Sequence, residues 1–179
     1  MVCGRCEMAV KLELEKMELP VISIKLGEIE LSCELEEDEI ERLANSLKNL
    51  GFELLEDEIS KTIAQIKNRV IDLVHYRNEK IKINLSTYLS EDLRQDYSAL
   101  SKLFSEKEGI TIEHYFIAQK IEKAKELLVY DELSLSEIAI QLNYSNVAHL
   151  SNQFKKVTGF TPTYFKKQEE NTRKQIDSL

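Results

Sequence analysis

No apolar stretch in this 179-residue chain approaches the roughly 20 residues needed to cross a bilayer. The amino terminus also lacks a basic-then-apolar leader pattern, so a cytoplasmic protein with no membrane partner is expected. Cysteine is scarce: Cys3, Cys6 and Cys33 all fall in the first fifth of the chain. An odd number so placed argues against a disulfide framework and for a reducing compartment. Histidine is equally scarce, and His75 and His114 fall within helical patterns where a structural role is expected. No glycine-rich phosphate loop, triad-like arrangement or paired-histidine metal site can be assembled, so no catalytic residue is assigned and the chain is not expected to be an enzyme. Low-complexity segments are absent too.

What is present is an ordinary 42% of hydrophobic residues and enough length for two small cores. The net charge is -8, which opposes contact with a polyanion, since such contact relies on Lys and Arg displacing counterions from phosphate. The acidity is all in one place. Residues 1–79 hold 10 basic against 18 acidic side chains, whereas residues 80–179 hold 14 of each. Between Lys155 and Lys174 there are six basic residues and two acids, a local basic surface that also suits a solvated tail.

The period of the pattern changes near residue 57. Before it, Val10, Leu14 and Met17 mark a helix over about 4–17, and Val21–Leu26, Gly27 and Ile29–Cys33 read as a hairpin. A second helix follows over 37–49 through Ile40, Leu43, Ala44 and Leu47, then Gly51 and a short strand at Phe52–Leu55. The expected order is αββαβ. Residues 58–80 read as a helical connector, striped by Ile59, Ile63, Ile66, Val70 and Val74. Beyond it every element reads as helix: residues 81–170 form an all-α domain and 171–179 a polar tail. Ser86 or Ser90, Asp96 or Ser98, and Ser134 or Ser136 are the expected caps of its short helices, with Gly109 and Gly159 as terminators. Two helix-turn-helix units result, joined by a long amphipathic helix over 112–128.

The second unit reads LSLSEIAIQLNYSNVAHLSNQFKKVTGFTPTYF, residues 133–165. Leu135, Ile138, Ala139 and Leu142 form a core face, Tyr144 follows the turn, Leu150 and Phe154 anchor the next helix, and Gly159-Phe160-Thr161-Pro162 closes the motif. This segment resembles the signature of the AraC/XylS family of transcription regulators. That family usually has Gly where Asn143 stands, and Asn is the next best residue for a left-handed turn. The first unit, with Leu85, Tyr88, Leu89 and Leu93, then Tyr97, Leu100, Leu103, Phe104 and Gly109, keeps the spacing, so the resemblance covers about residues 83–168. It implies a sequence-specific DNA-binding regulator with a recognition helix in each unit, the two lying in successive major grooves.

The positions left over by the core face DNA on that reading. In the second unit they are Asn146, Ala148, His149, Asn152 and Gln153, with Lys155 and Lys156, together with Lys166 and Lys167, for phosphate. In the first unit they are Tyr97, Ser98, Ala99, Ser101 and Lys102. Asn and Gln can bond adenine bidentately, and Ala can touch a thymine methyl. His149 is as compatible with a base or phosphate contact as with plain solvent exposure. A neutral domain implies modest affinity, so a homodimer and a contact with RNA polymerase are the expected partners besides double-stranded DNA.

Residues 1–57 carry Met1-Val2-Cys3-Gly4-Arg5-Cys6 ahead of a helix. A C-x-x-C loop opening a helix, then hairpin, helix and strand, is similar to the heavy-metal-associated, ferredoxin-like domains of copper chaperones and pumps, without their first strand. That resemblance implies Cys3 and Cys6 as ligands for a soft ion, Cu(I) or Zn(II). Ordinary thiols in a dimerisation module, or a dithiol redox switch, are the alternatives. Cys33 is expected to be a small buried hydrophobe. The alternative function for the whole chain is a metal carrier or partner-docking protein that does not bind DNA.

Overall fold

A computed structural model describes residues 1, 3–55, 57–76 and 84–168. The end of the connector, the first residues of the expected all-α domain, Arg173 and Lys174, and the tail at 171–179 lie outside the described residues. The chain divides into two compact units, Met1–Arg69 and Val70–Leu179.

The first unit is built from α1 (Gly4–Lys16), the antiparallel strands β1 (Val21–Lys25) and β2 (Glu28–Leu31), α2 (Glu37–Asn49) and most of α3 (Glu58–Ile71). The helical spacing of Val10 and Leu14 on α1 meets that of Leu43 and Leu47 on α2, and these four side chains with Leu19 form the core. The hairpin contributes Val21, Ile24, Ile29 and Leu31 to the edge of that core. Its register slips between Val21 and Ser23, which leaves Ile22 out of the ladder and 60% exposed.

Two expectations fail in this unit. Residues 52–55 form no strand, although Phe52 and Leu54 still pack on the core. Among the described residues the sheet has only the order β1-β2, and a strand exists only where a neighbour offers ladder hydrogen bonds. Cys33 is exposed, because it lies in the bend after β2 rather than on the strand's inward face.

The hairpin turn explains how α3 docks here. Gly27 adopts φ +78°, and Asn68 of α3 sits so close above it that a Cβ on residue 27 would come within 1.9 Å of the amide nitrogen. Next to it Gln65 donates to Glu28 at 2.6 Å, and Arg69 reaches the same carboxylate at 3.6 Å. Asn68 is itself buried.

The second unit continues from α3 through a π-helical turn (Asp72–Tyr76) and then holds α4 (Leu85–Leu93), α5 (Tyr97–Glu108), α6 (Ile112–Tyr130), α7 (Leu135–Gln141), α8 (Val147–Thr158) and a last helix over 162–168. His75 in the π turn lies 3.1 Å from the Gln119 side chain of α6. Asn84 precedes α4, Asp96 caps α5, Ser134 closes a capping box with Glu137 on α7, and Asn146 caps α8. The turn before α8 contains Asn143 at φ 56°, a left-handed residue as its type allows.

The unit is internally repetitive at a spacing of 50 in residue number. Leu100 and Leu150, then Phe104 and Phe154, are fully buried equivalents on α5 and α8. Gly109 and Gly159 end the two helices in the left-handed conformation. Thr111 and Thr161 then start the following helices, each accepting from the backbone N–H three residues on. Phe104 packs on Tyr115 with ring centroids 5.7 Å apart, and Phe154 on Phe165 at 5.6 Å.

Candidate nucleic-acid interface

Helix α8 is short, so its two faces are easily sorted. Leu150 and Phe154 point inward with Ile138, Ala139, Leu142 and Tyr144, and they fix the helix against α6 and α7. The opposite side shows Ala148, His149, Asn152, Lys155 and Lys156, all exposed, at the spacing of one helical stripe. Gln153 is half-buried at the margin of that stripe. Among the described residues neither Lys155 nor Lys156 has an ion-pair partner, so both charges are available to an anion.

Asn146 stands just outside the helix. Its side chain accepts from the His149 N–H at 2.8 Å, which orders the helix start. The His149 ring is also held: Ser145 Oγ lies 3.1 Å from Nδ1, and the ring meets Tyr144 edge to face with centroids 5.2 Å apart. Nδ1 is therefore engaged within the protein, and Nε2 is the atom left for an outside partner.

Tyr144 serves as a platform for more than His149. The Lys120 ammonium of α6 lies 4.0 Å from its ring centre, and its buried hydroxyl has no hydrogen-bond partner among the described residues. Burial pushes the Tyr144 hydroxyl up to about 12 and the Lys120 ammonium down to about 8. Sequence reasoning named Tyr144 only as core and missed Ser145 and Lys120. Ser145 was findable, since it lies one helical turn before His149, whereas the Lys120 contact joins distant elements and leaves no local signal.

On α5 the corresponding face is exposed at Ser98, Ala99 and Lys102, with Ser101 half-buried. Asp96 accepts from the Ser98 and Ala99 N–H groups at 2.9 and 3.3 Å. Those bonds, with the Ser98 hydroxyl first among them, hold the Asp96 carboxyl below its ordinary range. Tyr97 donates its hydroxyl to Glu113; burial and that carboxylate push the phenol up, and the phenol's hydrogen bond holds Glu113 down. Lys102 lies 4.0 Å from Glu106. Of the two phosphate candidates in the last helix, Lys166 pairs with Asp131 and Lys167 is exposed.

In the first unit Cys3 and Cys6 are half-buried, with sulfurs 3.4 Å apart at the start of α1. No group of three or more His, Cys, Asp or Glu able to hold a metal occurs among the described residues.

Residues 89–168 match the family described as a helix-turn-helix domain. For this segment, the resemblance to AraC/XylS-type regulators is supported. An uncharacterized HTH-type transcriptional regulator of Staphylococcus aureus is 35% identical over 78 residues, which cover 44% of this chain and 10% of that protein. The xylose operon regulatory protein of Escherichia coli strain K12 is 33% identical over 98 residues, covering 54% of this chain and 25% of that one. The chain thus spans a quarter or less of the length of these relatives. In fold, the chain is similar to the DNA-binding domain of AdpA, a global transcriptional factor solved in complex with a target DNA, with a TM-score of 0.51 and 18% identity over 67% of this chain and 99% of that domain.

Proposed function

We propose that the chain is a transcription regulator that binds double-stranded DNA by laying α8 in the major groove. The observation that carries this is the stripe Ala148, His149, Asn152, Lys155 and Lys156 on a capped helix whose other face is locked into the core. Asn152 has the donor and acceptor needed to pair with an adenine edge, and Ala148 is small enough for a thymine methyl. His149, with Nδ1 engaged by Ser145, offers Nε2 to a base or phosphate. The two lysines supply phosphate contacts. The helix-turn-helix match over residues 89–168, and the target DNA held by AdpA's domain, support the same reading. A second copy of the chain, or contact with RNA polymerase, would add affinity that one small neutral domain lacks.

The first unit is read as a shortened ferredoxin-like, heavy-metal-associated module that senses a signal. Helix, hairpin and helix follow the C-x-x-C loop in part of the order of such a module, without the strand expected at 52–55. Two soft thiols at the head of α1 fit a two-coordinate ion such as Cu(I). They do not by themselves fit Zn(II), which takes four ligands, and the described residues offer no larger cluster. When bound, the ion would supply a soft positive charge at the head of α1. Cys3 and Cys6 would hold it at the helix start.

The test is selection of DNA from a random pool by the purified full chain under reducing conditions, with and without Cu(I), followed by Asn152→Ala and His149→Ala. An enriched motif that both variants lose supports the regulator, and a Cu(I)-dependent change supports the sensor. No enrichment in any condition would favour a metal carrier or partner-docking protein.

A further inference from the structure

The repeat of 50 allows the two helix-turn-helix units to be compared position by position. Their cores are nearly the same, but their outward positions are not. Asp96, Lys102, Ser105, Glu106 and Glu113 of the first unit correspond to Asn146, Asn152, Lys155, Lys156 and Thr163 of the second. The formal charge over these five pairs is thus -2 in the first unit, from one lysine and three acids, and +2 in the second, from two lysines.

The geometry makes the difference functional. A helix start attracts phosphate through its free N–H groups and its positive end. At α5 those N–H groups already serve a carboxylate of the protein, since Asp96 accepts from both Ser98 and Ala99. At α8 the equivalent cap is the uncharged amide of Asn146. Glu113 places a second carboxylate beside the α5 start through its bond with the Tyr97 hydroxyl. Further along, Lys102 lies opposite Glu106 at 4.0 Å, so the one cation among these five α5-unit positions has a carboxylate of its own. On α8 the Glu106 position is Lys156, which has no ion-pair partner among the described residues.

We infer that the two units meet DNA unequally: α8 enters the major groove, while the carboxylates around α5 hold that helix away from the phosphates. One chain then reads one groove, and a second groove requires a second chain. This rests on the DNA-binding reading above and narrows it. The expectation of two equivalent reading heads gives way to one head and one spacer.

The test uses the full chain on an operator obtained by selection, with the number of bound chains counted by mass photometry. Hydroxyl-radical footprinting then shows the grooves protected, and affinity is followed as a function of salt. The expected result is one protected groove per bound chain. Lys155→Ala and Lys156→Ala should each flatten the salt dependence, log K against log salt, by about 0.9, the value for one lost phosphate contact. Lys102→Ala should leave that slope unchanged. Glu106→Lys should steepen it by about 0.9 and extend protection into the next groove. Glu106→Gln, the milder change, should raise affinity without adding a groove. Two equally protected grooves per wild-type chain, or a slope loss in Lys102→Ala equal to that in Lys156→Ala, would overturn the inference while leaving the DNA-binding reading intact. Failure to select any operator would overturn both.

Discussion

Lys120 and Tyr144 form a cation–π pair across two helical elements, with the ammonium 4.0 Å from the ring centre. The same ammonium lies 5.3 Å from the Phe116 ring, and no carboxylate among the described residues pairs with it. Aromatic faces thus take the place of a counter-ion, and they only partly offset the cost of burying the charge.

That arrangement has a signature in alkali. Burial lowers the Lys120 ammonium from 10.5 to about 8, so between those values the unfolded chain holds a proton that the folded chain has released. Stability contributed by this group therefore rises with pH across that window. Tyr144, raised from 10.0 to about 12, acts the other way above pH 10, where the folded chain keeps a proton the unfolded chain loses. Urea midpoints of the second unit should climb from pH 8 towards 10 and then fall. In Lys120→Met the climb should vanish and the fall remain; an unchanged climb would mean that another group causes it.

Asn146 and Ser134 are expected to act as caps whatever the DNA does. Asn146→Ala or Ser134→Ala should each cost about 1 kcal/mol in equilibrium unfolding. Asn146→Asp should retain the stability but weaken DNA binding, since it places a carboxylate at the α8 start as Asp96 does on α5. Equal DNA affinity for Asn146→Asp and the wild type would show that α8's start does not approach phosphate.

Much of this second unit was legible before any coordinates. The alternation of core and surface along α7 and α8, the Ser134 cap and the closing glycine are local, so Leu150, Phe154, Asn143 and Gly159 stand where their types require. Helix α4, by contrast, starts after Asn84 rather than at Ser86 or Ser90, and sequence reasoning named Asn146 only as a DNA-facing residue, not as the cap of α8. The first unit was less legible. Whether Phe52–Leu55 becomes a strand depends on a partner elsewhere in the sheet, and Cys33 looked buried only on the assumption that the β2 alternation ran on past Leu31. The contacts around Lys120 and Asn68 join residues far apart in sequence, and pattern alone does not pair them.

The Gly27–Asn68 approach predicts a specific non-additivity. Gly27→Ala must accommodate both a left-handed φ and a Cβ directed at Asn68, a cost of roughly 1–2 kcal/mol from the backbone alone. Asn68→Ala removes the obstacle. In the double variant Gly27→Ala should therefore cost less than in the wild-type background, as measured by a thermodynamic cycle. Strict additivity would show that α3 does not close over the hairpin turn in solution.

The equivalent core phenylalanines offer a test of the repeat. Phe104→Ala and Phe154→Ala should each destabilise the second unit by roughly 3–5 kcal/mol, since both rings are fully buried. A loss under 1 kcal/mol at either site would show that one half of the repeat is loosely packed.

The exposure of Cys33 has a practical consequence. Its thiol stands open on the hairpin while those of Cys3 and Cys6 are half-covered, so a maleimide dye at limiting concentration has a preferred address. A fluorophore placed there would report on the first unit from outside its dithiol, so occupancy of the pair could be followed optically with both of its sulfurs unmodified.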